Sequence, residues 1–303
     1  MNRMIFGIVS FVMILTMNSD AKIRVVTTTT DLGAIVKAVG GDEVDVEVIA
    51  KGYQDPHYVQ AKPSYMRLMN RADLLVYVGM ELEVGWLPLL IQGARNPNIV
   101  PGAMGHLDAS IGIRRLDVPT GQVDRSMGDV HPDGNPHYWL DPRNGIVIAK
   151  TVAEKLGALE PDKANVFMAN YKTFQADLEA RIDIWKKRLA HFEGQEIVSY
   201  HKLWVYLSDW LQFEVVDQVE NKAGIPPSPR HLADLVARMK SEQIRLIVCS
   251  NFVDTKIAQR VAERSQAKLV VLPASVGAVS GVETYVDLFD YIVAQLGSVN
   301  GEM

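Results

Sequence analysis

The chain is poor in several things that would have assigned it at once. It has one cysteine, Cys249, in an apolar run, so an intrachain disulfide is excluded. It has no run of lysine and arginine, and its formal net charge is −5. That balance speaks against nucleic acid, whose binders need a basic face, and against a cationic membrane-surface patch. After its first two dozen residues it has no apolar stretch of membrane-spanning length. Metal-site signatures with local spacing, such as HExxH, are missing as well. What remains is a chain of 303 residues, 48 % hydrophobic and 22 % charged, long enough for a sizeable core in one large or two medium domains.

The N-terminus carries one positive charge at Arg3, then the uncharged run IFGIVSFVMILTM over residues 5–17, then small residues at Ser19 and Ala21. This is the layout of a secretory signal peptide over 1–21, its apolar region too short to span a bilayer comfortably. No cysteine lies near the cleavage site, so the mature protein is expected to begin near Lys22, exported to the periplasm without a lipid anchor.

Beyond it, β-rich runs alternate with helix-like segments. KIRVVTTTT, VDVEVIA and LLVYVG are interleaved with DLGAIVKAV and PSYMRLMNRA. EIVSY, FEVVDQV, IRLIVCS and AKLVVLP are interleaved with LWVYLSDWL, HLADLVARM and KIAQRVAERS. Such alternation predicts an α/β protein with parallel sheets and helices on both faces. An internal echo supports two related halves, since Pro63-Ser64 opens a helix before LLVYVG and Ser228-Pro229 opens one before IRLIVCS. Between the halves, Phe167, Tyr171, Phe174, Leu178, Ile182, Trp185 and Leu189 form an unbroken stripe at helical spacing, with Pro161-Asp162 ahead of it and Gly194 after it. The spacing predicts one long helix whose aromatic face is core, not a ligand shelf. The expected division is a lobe over 22–158, a linking helix over 159–193 and a second lobe over 194–303.

There are seven histidines. His191 and His231 fall at a helix end and a helix start and are expected as solvated capping residues. His106, in GAMGHLDAS, lies in an expected loop with no evident partner. His57 follows the strand VDVEVIAK through GYQDP, and His201 directly follows EIVSY. Ligands in open α/β sheets bind outside the carboxyl ends of strands, where these two fall. His131 and His137 share the loop leading to a helix near Arg143. In GNPHYWLDPRNG, Asp141-Pro142 reads as N-cap and first helical residue, and Tyr138 and Trp139 as packing. Three imidazoles from separate loops can make a discriminating metal site, but spacing alone does not bring them together.

The stretches DPHYVQAKPSYMRLMNRADLLVYVG, GMELEVGWLPLL, NPHYWLDPRNG, SYHKLWVYLSDW and IPPSPRHLADL resemble the periplasmic metal-binding proteins of ABC-type zinc and manganese importers. That solute-binding family also includes streptococcal metal-binding lipoproteins, and the resemblance covers essentially all of the expected mature chain. It implies two Rossmann-like lobes joined by a backbone helix, metal in the cleft, and His57, His137 and His201 as ligands. It implies capture of a divalent metal for an inner-membrane ABC permease, with no enzymatic activity; a monomer is expected.

The chain departs from the family pattern in its second lobe. Where an aspartate ligand is common it has Ala274-Ser275, and where a glutamate often ends a strand it has Cys249-Ser250-Asn251. Its polar loop over 116–136 is a short form of a His/Asp-rich loop, read as a flexible loop ahead of a metal-gathering one. A nitrogen-rich shell favours Zn2+ over Mn2+ as the transported ligand. Water is the first choice for a fourth position, with His131 or Asp55 behind it. The alternative is a secreted zinc-dependent hydrolase with a three-histidine site, which would need a general base at the metal-bound water; Asp55 is the nearest in sequence.

Overall fold

A computed structural model describes residues 21–121, 123, 127–222 and 224–299. The signal-peptide stretch, apart from Ala21, lies outside the described residues. The first half contains strands β1 (Ile23–Thr27), β2 (Val44–Val48), β3 (Leu74–Tyr77) and β4 (His106–Asp108). They pair in parallel in the order β2-β1-β3-β4. The second half repeats the scheme with β5 (Glu196–Ser199), β6 (Glu214–Gln218), β7 (Leu246–Ser250) and β8 (Lys268–Leu272), in the order β6-β5-β7-β8. In each sheet the chain moves outward to one edge, then returns to the other side of its first strand. That reversal opens a crevice at the carboxyl ends.

The first sheet carries α1 (Thr30–Gly40), α2 (Pro63–Asn70) and α3 (Leu87–Ala94). The second carries α6 (Val205–Leu211), α7 (Pro229–Ser241), α8 (Thr255–Ser265) and α9 (Tyr285–Gly297); between the sheets lie α4 (Pro142–Leu159) and α5 (Ala164–Arg188). Central strands buried on both faces, such as LIVCS of β7, are continuously apolar, as parallel strands covered by helices must be.

Helix starts follow the capping chemistry. The Asp141 carboxylate accepts from Arg143 N with Pro142 at the first position, and Ser228 accepts from His231 N with Pro229 next. Glu160 precedes Pro161 and is non-helical, and residues 161–163 form one 3-10 turn, so α5 proper begins at Ala164. Its 25 residues rise about 37 Å. Phe167, Tyr171, Leu178 and Trp185 are buried on it, with Phe174 and Ile182 packed beside them, so the aromatic stripe is core.

Three elements had no reading in the sequence: β4, α3 and α9. The three-residue β4 is too short for a periodic pattern to register. Helix α9 has a complete capping box, Thr284 with Asp287, and buries Tyr285, Phe289 and Ile292. It packs on α1, α5 and β8, so one apolar cluster runs from Ile23 of the first strand to Val299 beyond α9. No helix among the described residues is long and apolar enough to cross a membrane.

Candidate metal centre

Loops at the carboxyl ends of both sheets bring four histidines together. The His57 ring lies 5.2 Å from those of His131 and His137 and 6.1 Å from that of His201; His137 and His201 are 5.9 Å apart. A cavity of about 240 Å³ opens among His131, His137, His201, Asp117 and Met127. A wider surface hollow lies elsewhere, at the amino ends of the first sheet between Arg24, Asp73 and Glu160, with no histidine in its lining.

Three of the rings are held in one way. His57 has Asp55 Oδ1 at 2.7 Å from Nδ1, His137 has Asn135 Oδ1 at 3.0 Å, and His201 has Glu220 Oε2 at 2.9 Å. An oxygen without a proton can only accept, so each Nδ1 carries the hydrogen and each Nε2 keeps its lone pair. Metal-ligating histidines are oriented by such acceptors on the nitrogen remote from the metal. The His137 Nε2 is buried and has no hydrogen-bond partner among the described residues.

Two of these holds are local and nearly identical. In Asp55-Pro56-His57 and in Asn135-Pro136-His137, one side-chain Oδ1 accepts both the histidine backbone N–H and its ring Nδ1–H. The proline fixes φ between acceptor and histidine. The third hold is remote, since Glu220 lies just past the end of β6. Sequence reasoning missed Asn135 and Glu220. The repeated Asx-Pro-His triplet was the signal for the first. For the second it was an acid just beyond a strand's carboxyl end, the rule that had already marked His201.

Electrostatics favour the neutral imidazole at His137 and His131. Burial, then the neighbouring histidines, pushes His137 well below the ordinary histidine range. Burial and the charge of His57 bring His131 to about 4. Burial raises the Asp55 carboxyl, but its contacts with His57 outweigh that and leave it below the ordinary value. Among the described residues, no three His, Cys, Asp or Glu side chains are close enough together to grip an ion. The rings surround a gap that would have to tighten.

The second lobe offers no carboxylate from the positions the family pattern suggests. Ala274 is buried and its carbonyl accepts from Trp139 Nε1 at 2.9 Å; Ser275 turns to Asp31, whose Oδ1 accepts from Val276 N at 2.9 Å. Trp139 packs 5.3 Å from the His137 ring, and Tyr138 is fully buried, so both serve packing. Asp141 is committed to Arg143 at 2.6 Å and to its cap. Asp55, the candidate base of a hydrolase, is committed to His57 Nδ1.

The remaining histidines differ from expectation. His106 is not a partnerless loop residue: it lies on β4, with Nδ1 on Ile99 O at 2.8 Å and Nε2 on Tyr77 Oη at 3.1 Å. His231 is not simply solvated, because its Nε2 donates to Gln218 O at 2.9 Å while its backbone N–H meets the Ser228 cap. His191 stacks 4.7 Å from Phe192, with Nε2 buried. For His106 and His231 a neighbour beyond the local pattern decides the contact.

Comparison with known proteins bears on this geometry. The chain matches the ZnuA family, described as zinc-uptake complex component A, periplasmic, over residues 25–299. It is 29 % identical over 250 residues to the manganese ABC transporter substrate-binding lipoprotein PsaA of Streptococcus pneumoniae, covering 81 % of this chain and 77 % of that one. It is 27 % identical over 291 residues to the high-affinity zinc uptake system protein ZnuA of Paracoccus denitrificans, covering 88 % of each. Among solved structures, a crystal structure of ZnuA superposes with a TM-score of 0.76 at 22 % identity, covering 93 % of this chain and all of that one. An Mn-bound periplasmic metal-binding protein from Candidatus Liberibacter asiaticus superposes with a TM-score of 0.75 at 21 % identity, covering 91 % and 99 %. The two-lobe α/β fold is therefore shared, and the chain belongs to the ZnuA family of metal-binding substrate-binding proteins of ABC importers, a binding component and not an enzyme.

Proposed function

We propose that this protein captures zinc through His57, His137 and His201 in the periplasm and delivers it to an inner-membrane ABC permease. The carrying observation is the shared arrangement of those rings: an oxygen acceptor on each Nδ1 leaves each Nε2 with its lone pair toward the gap. Zinc accepts neutral nitrogen donors in tetrahedral geometry at about 2.0–2.1 Å, whereas manganese favours oxygen donors and more of them. The relatives include both a manganese and a zinc protein, so likeness alone does not choose; the donor set favours zinc.

In this reading the lobes over 22–158 and 194–303 hold the site between them and α5 braces them. Imidazoles replace the water on an incoming ion, the rings draw together, and docking on the permease loosens them again. The chain is expected to work as a periplasmic monomer. Competitive titration of metal-free protein tests the choice of metal, with zinc expected to bind at least a hundredfold tighter than manganese, about 2.7 kcal/mol. Manganese binding as tightly as zinc would overturn it.

A further inference from the structure

Around the three histidines, most other donors are already used. Asp55 Oδ1 serves His57, and Glu220 Oε2 serves both His201 Nδ1 and Gly224 N. Asp129 takes the Tyr58 hydroxyl on both oxygens, at 2.9 and 2.8 Å. Lys202 holds Asp117 at 2.6 Å. Among the described residues a fourth imidazole also lines the cavity: His131, whose Nε2 lies 3.2 Å from His57 Nε2.

That distance is informative. Four nitrogens bound tetrahedrally at about 2.0–2.1 Å stand about 3.3–3.4 Å apart along each edge of the tetrahedron. The two Nε2 atoms are thus already at the separation that one shared zinc ion requires. The His57 Nε2 holds a lone pair, because its Nδ1–H is given to Asp55. Without metal, His131 Nε2–H donates into that lone pair. With metal, His131 carries its hydrogen on Nδ1 and both lone pairs point at the ion.

The backbone around His131 is anchored on both sides. Tyr58, next to His57, grips Asp129 two residues ahead of His131, so the two histidine segments are tied side by side. Behind it, Gly134 N donates to His131 O at 3.2 Å, Arg115 pairs with Asp133 at 2.7 Å, and Asn135 N donates to Leu116 O at 2.9 Å.

We propose that His131 is the fourth ligand, completing a shell of four imidazoles with no carboxylate and no water; this rests on the three-histidine zinc reading above. An all-imidazole shell also sharpens the preference for zinc over manganese, because it leaves manganese no oxygen donor.

The test uses the metal-free protein with Co2+ as a spectroscopic stand-in and Zn2+ for affinity. His131→Cys loaded with Co2+ should show the intense near-ultraviolet thiolate-to-metal band that wild type lacks. The chain's own Cys249 cannot supply it, being buried in the second-lobe core. His131→Ala should weaken zinc binding on the order of a hundredfold, at least what loss of an outer-shell partner costs. No charge-transfer band with His131→Cys, together with His131→Ala within threefold of wild type, would overturn the assignment even if His57→Ala still abolished binding. If His57→Ala, His137→Ala and His201→Ala all bound zinc normally, it is the underlying site that would fall.

Discussion

The two lobes share a strand order and differ in how they present a histidine. In the first, His57 and His137 each sit two residues after their own acceptor, across a proline, so the ring is aimed by the turn that carries it. In the second, His201 is aimed by Glu220 from the far side of α6 and β6, so both must form first. The strands feeding these loops explain the difference. β1 runs through Thr28 and the Thr29 cap straight into α1, leaving no room for a ligand. Its counterpart β5 is followed by residues 200–204 before the shorter α6, and His201 occupies that gap. One topology thus yields ligands at different loops, and a local hold and a tertiary hold reach the same ring chemistry.

The largest expected effect tests whether the two kinds of hold are equivalent. His57→Ala, His137→Ala and His201→Ala should each weaken zinc by about a thousandfold or more, about 4 kcal/mol, with circular dichroism of the metal-free fold unchanged. A much smaller loss for His201→Ala would break the equivalence and make the second lobe's contribution incidental.

A second effect separates the lobes by buried carboxyls outside the site. Glu83 accepts from Thr28 Oγ1 at 2.6 Å and from Val78 N at 2.7 Å, and burial raises it to about 7; burial likewise raises Asp31 to about 7. A carboxyl with a raised folded pKa binds its proton more tightly in the folded state. Stability from these groups is therefore present below about pH 4 and is lost as pH rises to about 7, by about 3–4 kcal/mol per carboxyl. Metal-free protein should melt higher at pH 5 than at pH 8, and Glu83→Gln should flatten the slope. An unchanged slope in Glu83→Gln would refute the attribution.

The acceptors come next. Asp55→Ala and Glu220→Ala should each lower zinc affinity about 10–100-fold, as outer-shell partners do. The local turn keeps its proline, so Asp55→Ala should be the milder of the two in calorimetric titration; the reverse order would mean that the remote hold is the dispensable one.

The smallest effect concerns the second lobe's grip on a first-lobe loop. Tyr285 Oη donates to Trp139 O at 2.5 Å, next to the Asn135-Pro136-His137 turn. Tyr285→Phe should cost about 1 kcal/mol of stability in thermal unfolding and only a few-fold in zinc affinity. A loss of affinity as large as that of Asp55→Ala would show that the His137 turn is held from α9 rather than by itself.

Much of this protein was legible from local chemistry. The strand–helix alternation, the aromatic stripe of α5 and the Asp141 and Ser228 caps depend on residues within a turn or two of one another, and the α/β fold and these elements formed where the pattern put them. The strand-end rule marked His57 and His201, and the Asx-Pro-His triplet was present to be read twice. Only tertiary structure decided that Glu220 would meet His201, that His106 would be consumed by Tyr77 and Ile99, and that His131 would stand against His57. Each of those pairs joins segments distant in sequence or held by a long loop. Periodicity and capping carry no information about which loops the packing of two lobes and α9 will press together, because that choice is made by burying one shared core.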